Sequence, residues 1–297
     1  MEHRKLRVIT FNYLPSCYHF ASEWIHNNNH EHVLLVTTPG PLSRPTPSYM
    51  KVVKDAPRVK DILVTTRLAQ VAEPLIRALK PDLILSFSFP YRIPPEICAI
   101  PTFGAVNVHP SVLPAYRGPN PMRQFYDGAS VFGSSTHWIA PDYDTGNVLS
   151  TQSANLPAMV TQNVVPQWAD MIRHTISDGL ARAIDGDPGI PQDNNQAIYA
   201  AAYSEEEKWL NFNEPTHIIQ RKVFGLDVCG GMARAEINGT KFRVSQAEPV
   251  SGCNGKAGTI LDKTNHKLVV GTGDGAVRLQ THPLTSRCPT PLEQLQG

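Results

Sequence analysis

The sequence predicts an α/β chain in which a mostly parallel sheet, covered by helices, is followed by a smaller β-barrel. Three observations carry that prediction. Short apolar, β-branched runs alternate with helical segments in the N-terminal third. A stretch dense in Gly, Pro, Asp and Asn interrupts the pattern at 185–195. Beyond it, short strand-like runs are separated by Asn-Gly and Gly-Asp-Gly turns.

Taken in order, residues 6–11 and 33–38 read as strands, with a helical segment at 22–28 between them. Strand, helix and strand at this spacing form a βαβ unit. A second unit runs from a strand at 62–65 through a helix-like segment at 68–79 to a strand at 81–87. These strands are nearly continuous apolar runs, the pattern of a parallel sheet buried on both faces. Ligands of such sheets sit beyond the carboxyl ends of the strands. The segment 185–195 cannot hold regular structure and reads as a linker. Ser204-Glu-Glu-Glu looks like a helix start; 235–242 has a hairpin turn at Asn238-Gly239, and 267–279 turns at Gly-Asp-Gly. Several short strands of this kind suggest a small barrel. The expected division is 1–190, a linker at 191–204, and 205–297.

Composition narrows the function classes. With 297 residues the chain has room for two domains at about 150 residues each. Its formal net charge of +1 leaves polyanion binding to a local patch. Cys17, Cys98, Cys229, Cys253 and Cys288 are odd in number, scattered, and never spaced Cys-x-x-Cys. That argues for reduced thiols and against a disulfide framework or a zinc site. No apolar run approaches the ~18 residues of a membrane span, so a soluble, cytoplasmic protein is expected. Neither Gly-x-Gly-x-x-Gly nor a Walker loop follows a strand, so NAD and ATP are not expected.

The chemistry concentrates in 104–121, Gly-Ala-Val-Asn-Val-His-Pro-Ser-Val-Leu-Pro-Ala-Tyr-Arg-Gly-Pro-Asn-Pro. Strand side chains alternate, so Asn107 and His109 leaving a strand end point the same way. Downstream, 136–146 is a carboxylate-rich loop closed by Gly146, with Asp144 within it. Asn, His and Asp together supply an oxyanion donor, a general acid or base, and a group to orient it.

The run Asn-x-His-Pro-Ser-x-Leu-Pro-x-x-x-Gly with its downstream Asp-x-Gly resembles the formyltransferases that use 10-formyltetrahydrofolate. Those include glycinamide ribonucleotide formyltransferase and methionyl-tRNA formyltransferase. The segments Lys-Ala-Gly-Thr-Ile-Leu at 256–261 and Gly-Thr-Gly-Asp-Gly-Ala-Val-Arg-Leu at 271–279 look like the C-terminal barrel of the second group. The resemblance spans most of the chain. It implies a Rossmann-like catalytic domain at 1–190, an OB-like barrel at 205–297, and 10-formyltetrahydrofolate as co-substrate without a metal.

It also implies site residues. Asn107 would donate to the oxygen of a tetrahedral intermediate, His109 would hydrogen-bond it or move protons, and Asp144 would raise the basicity of His109. Phe89, Tyr91, Arg92 and Ile93 would form one wall of the folate cleft, and Ala140, Pro141, Asp142 and Asp144 the other, with Arg92 near the carboxylated tail. Asn12, Tyr13, Ser111, Leu113, Pro114 and Arg117 would lie beside the acceptor. Arg117 would either contact an acceptor anion or order its own loop.

The acceptor is read from departures within the family. The first loop is Phe-Asn-Tyr-Leu-Pro-Ser at 11–16, where methionyl-tRNA formyltransferases carry a Gly-Thr-Pro type. The loop at 39–49 is proline-rich, with Arg44 its lone cation, and the usual Trp-Pro-Gly gives way to 226–231. Phosphate contacts drive nucleic-acid affinity. The expected acceptor is therefore a small-molecule amine, such as an amino sugar or amino-acid derivative, and tRNA is the alternative. A folate hydrolase and a non-catalytic binding module complete the set.

Overall fold

The structure, a computed structural model, describes residues 4–40, 48–56, 59–228, 230–286 and 291. Arg44 and most of its proline-rich loop, with Cys229 and Cys288, lie outside the described residues.

The chain begins β1 (Arg7–Asn12), α1 (Pro15–Asn27), β2 (Glu31–Thr37), α2 (Ser48–Lys54) and β3 (Asp61–Val64). A π turn at Leu68–Ala72 leads into α3 (Glu73–Leu79), then β4 (Leu83–Phe87), α4 (Pro95–Cys98) and β5 (Ala105–His109). Next come α5 (Arg123–Tyr126), β6 (Val131–Trp138), β7 (Val148–Asn155) and α6 (Val164–Ile184). The remainder is α7 (Thr216–Asp227), β8 (Arg234–Ile237), β9 (Thr240–Pro249), β10 (Ile260–Thr264), β11 (Lys267–Gly271) and β12 (Ala276–Pro283). Two compact units emerge. One comprises 1–119, 133–153 and 169–199, and the other 120–132, 154–168 and 200–297.

The first unit holds a seven-stranded sheet in the order β3-β2-β1-β4-β5-β6-β7. The pairings from β3 to β5 are parallel, and β5 meets β6 antiparallel. This is the mostly parallel α/β sheet that the apolar runs require. In β1 every residue from Val8 to Asn12 is buried, as expected of a strand covered on both faces. The strand order reverses between β1 and β4, which opens a crevice beyond their carboxyl ends.

Two local details differ from the sequence reading. The first helix begins at Pro15 rather than at 22, because proline at its N-terminus presets φ and leaves no amide to satisfy. Its buried face, including Cys17, Phe20, Ala21 and Trp24, follows helical spacing. The segment at 68–79 is helical, but its first turn is a π turn before α3 takes over.

The second unit carries a five-stranded antiparallel sheet in the order β10-β11-β12-β9-β8. Its core joins Ile219, Val223 and Leu226 of α7 to Val244, Val270, Val277 and Leu279 of the sheet. The hairpin at Asn238-Gly239 is present, both residues having positive φ of 50° and 73°, the signature of a type I′ turn. The helix start at Ser204 gives only a 3-10 turn, Glu206–Lys208. Ser204 and Glu207 do form a reciprocal capping pair, Glu207 N to Ser204 Oγ at 3.2 Å and Ser204 N to Glu207 Oε2 at 2.8 Å. Arg123 Nη2 then donates to both oxygens of Glu207 at 2.8 Å, tying that turn to α5 rather than to a continuing helix.

Candidate active site

Three elements of the first unit build the site. Strand β5 ends in Asn107 and His109, and the antiparallel register sets His137 of β6 directly opposite Asn107. The turn between β6 and β7 brings Asp144 to both. Its backbone is left-handed, at φ 57°, a conformation that non-glycine residues seldom adopt and that Asp tolerates better than most.

Asp144 is the hub. Its Oδ1 accepts from Asn107 Nδ2 at 3.3 Å and lies 3.5 Å from His137 Nε2. Its Oδ2 accepts from the Gly118 N–H at 2.8 Å and lies 3.5 Å from His109 Nδ1. Burial opposes ionisation here. The pull of the adjacent His109 and His137 rings whenever either takes up a proton, and the Gly118 amide, outweigh it, so the carboxyl is held well below the usual carboxylate range.

The two imidazoles are fixed by carbonyl oxygens, which can only accept. His109 Nε2 lies 2.7 Å from the Tyr116 carbonyl, so Nε2 carries the hydrogen and Nδ1 is the basic position facing Asp144. Burial lowers the pKa of His109 against the pull of Asp144 and of the Tyr116 carbonyl, which leaves the ring neutral near neutral pH. His137 Nδ1 lies 2.8 Å from the Trp138 carbonyl, which leaves Nε2 to accept from Asn107 Nδ2 at 3.1 Å. Both hydrogens of the Asn107 amide are thus engaged, at lengths that a developing oxyanion can outcompete.

A cleft of about 440 Å³ opens on this constellation. Phe89, Tyr91, Arg92 and Ile93 line one side, and Ala140, Asp142, Tyr143 and Asp144 the other, with Asn107 and His137 between them. Arg92 reaches across the mouth, 3.2 Å from Asp142 Oδ1 and with its guanidinium carbon 5.0 Å from the Tyr143 ring centroid. Pro141 belongs to the same loop but not to the lining, and His109, also outside the lining, sits with Nδ1 3.5 Å from Asp144 Oδ2. Among the described residues, no group of three or more His, Cys, Asp or Glu side chains is arranged to hold a metal ion. Among the described residues, no helix is long and apolar enough to cross a membrane.

The other expected residues lie around this centre. Asn12, fully buried at the end of β1, donates from Nδ2 to the Phe87 carbonyl at 3.1 Å, while its Oδ1 has no partner among the described residues. Tyr13 follows it, with its ring against Gly40. Ser111 Oγ donates to the Ala115 carbonyl at 2.8 Å, and the Leu113 amide to Ser135 Oγ at 3.1 Å, so 111–115, Pro114 included, forms a bonded loop beside β6. Arg117 is buried, and its guanidinium donates to Gln192 Oε1 at 3.0 and 2.8 Å and to Asn194 Oδ1 at 2.9 Å. Of the two roles open to it, those contacts serve loop ordering.

Sequence reasoning missed three contributors. His137 stood inside the recognised motif, and its place on a strand paired with β5 was the signal. Gly118 acts through its amide, which no side-chain pattern reveals. Gln192 lies in the patternless stretch and carried no signal.

Two family models match the chain, formyl transferase over 28–177 and formyl transferase, C-terminal domain, over 203–295. This chain belongs to the formyltransferase family. Curated relatives include methionyl-tRNA formyltransferases of Staphylococcus epidermidis, 28% identical over 82% of this chain and 77% of the relative, and of Nitrosococcus oceani, 30% identical over 80% and 74%. Similar solved structures include HypX from Aquifex aeolicus in complex with tetrahydrofolic acid, with TM-score 0.70 and 18% identity. The match to HypX covers 93% of this formyltransferase but only 44% of HypX. An N-formyltransferase from Helicobacter canadensis in complex with folinic acid and dTDP-3-aminofucose has TM-score 0.62 and 14% identity, covering 94% of this chain and all of that one.

Proposed function

We propose that this formyltransferase moves the formyl group of 10-formyltetrahydrofolate to the primary amine, or hydroxylamine, of a small molecule. The observation that carries the reading is the convergence of Asn107, His137 and His109 on the buried carboxylate of Asp144 at the floor of an aromatic-walled cleft. The flat pterin fits between the Phe89 and Tyr91 wall and the 140–144 loop, with Arg92 near the carboxylated tail. Asn12, Tyr13, Ser111, Leu113 and Pro114 flank the acceptor.

In the reaction, the amine nitrogen bonds to the formyl carbon and the bond from that carbon to N10 of the folate breaks. Between these events the formyl oxygen carries negative charge, which the Asn107 amide stabilises; one such donor contributes on the order of 3 kcal/mol. The proton lost by the amine ends on N10. His109 Nδ1, neutral and next to Asp144, is the group to carry it, and the carboxylate stabilises the imidazolium formed in transit.

A small acceptor is supported by the chain's net charge of +1 and by a 39–49 loop with Arg44 as its lone cation. The second reading, methionyl-tRNA as acceptor, draws on curated relatives of that name aligned over about four-fifths of the chain. The test is formyl transfer from 10-formyltetrahydrofolate to a panel of amino sugars, amino acids and hydroxylamines beside charged initiator tRNA. Higher kcat/KM for a small amine is expected. Turnover of tRNA alone overturns the small-acceptor assignment, and turnover of no amine at all overturns the reading.

A further inference from the structure

We infer that Gln192 is a positioning residue of this active centre, the clasp that holds the strained turn bearing Asp144. The inference rests on the proposed reading of the site and adds to it a residue outside both sequence motifs. Every residue of 191–199 is exposed except Gln192, whose side chain turns inward. Its Nε2 donates to the carbonyl of Asp144 at 2.9 Å and to that of Gly146 at 2.6 Å. Its Oε1 accepts from Arg117 Nε at 3.0 Å and Nη2 at 2.8 Å. The amide can sit only one way, since its nitrogen faces two acceptors and its oxygen faces a guanidinium.

All its capacity is therefore spent linking two pieces of backbone. One is the Asp144 turn, held in a left-handed conformation that costs roughly 1–2 kcal/mol. The other is the 117–118 corner, where the Gly118 amide donates to Asp144 Oδ2. Through Gln192, the residue that caps the turn and the residue that bonds its carboxylate are fixed to each other. Asn194 holds the same guanidinium from the other side at 2.9 Å. Main-chain bonding closes the strap, with the Arg117 amide donating to the Ile198 carbonyl at 2.9 Å. Without the clasp the carboxylate loses its alignment with both imidazoles, and misplacements of about 1 Å cost up to about 100-fold in rate.

The discriminating variant is Gln192→Glu, which keeps the Arg117 fork but sets a carboxylate oxygen against two carbonyls; Gln192→Asn, too short to span both, is its partner should the first fold poorly. Either should slow formyl transfer by about 10- to 100-fold. In the Asp144→Asn background, the same change should slow it no further, because residues acting as one unit are not additive. Independently of turnover, the His109 ring titration read by NMR should move downward in Gln192→Asn, which breaks the span without adding a charge, and the same direction is expected of Asp144→Asn. An unmoved titration, an unchanged rate, or factors that multiply in the double variant overturn the inference. Failure of the unaltered protein to formylate any amine instead overturns the functional reading, and the titration still decides the clasp.

Discussion

At the level of single residues, the site is a buried carboxylate that accepts from the Asn107 and Gly118 amides, with the His109 and His137 rings 3.5 Å away. Replacing Asn107 or His109 by alanine, or Asp144 by asparagine, should lower the rate of formyl transfer at least ~100-fold while the fold persists. Asparagine suits position 144 because it also tolerates the left-handed backbone. Near-parental rates in all three variants would sink the chemistry proposed for them. The shared face of Asn107 and His109 was legible in the sequence because alternation along β5 is a short-range pattern, whereas Asp144 was singled out from its loop by the family resemblance. His137 was legible only in hindsight, since its role depends on the register of β6 against β5. Gln192 was illegible, because its bonds join segments 46 to 75 positions apart in the chain.

Elements set how much each turn can tolerate. Gly146 closes the turn that presents Asp144, and a Cβ there would land on the Trp138 carbonyl oxygen, which is backbone and cannot step aside. Gly146→Ala should cost roughly 2 kcal/mol or more and lower activity with it. Gly239, at φ 73° in the β8–β9 hairpin, has nothing near its Cβ position. Gly239→Ala should therefore cost about 1 kcal/mol of backbone strain and leave kcat unchanged. Thermal melts beside initial rates separate the two; equal losses of activity would refute the assignment of the first turn to the site. The parallel strands were readable from their apolar runs. The start of α1 was not, because its signal is a buried face spread over two turns, and neither was the end of the helix expected at Ser204, where Arg123 competes for Glu207.

For the whole molecule, buried titratable groups tie stability to acidity, and His32 gives the clearest single contribution. His32 is buried, with Nε2 2.9 Å from Thr10 Oγ and its ring stacked on Tyr18 at 5.9 Å between centroids. Burial pulls its pKa from the ordinary 6.5 down to about 4 against a bond to Leu34. The unfolded chain then binds a proton that the folded one refuses, so stability falls as pH drops from about 6.5 and levels off below about 4. The full loss is about 3 kcal/mol. Asp227, raised by burial to about 6, acts with the opposite sign over the same range, so the test is the difference between proteins: from pH 7.5 to 4.5 the melting temperature of the parent should fall relative to that of His32→Gln, and parallel curves would overturn the assignment. His109, also lowered by burial, adds to the fall with the same sign. Ionic strength should behave in the opposite manner. Arg92 at the cleft mouth already has Asp142 as its counter-ion, so an entering carboxylate exchanges one anion for another and adds no new ion pair. Salt weakens the contact that is given up and the contact that is gained alike, and the affinity for a reduced folate should stay nearly flat as ionic strength rises. A cleft whose arginine waited unpaired would instead release its ligand steadily with added salt.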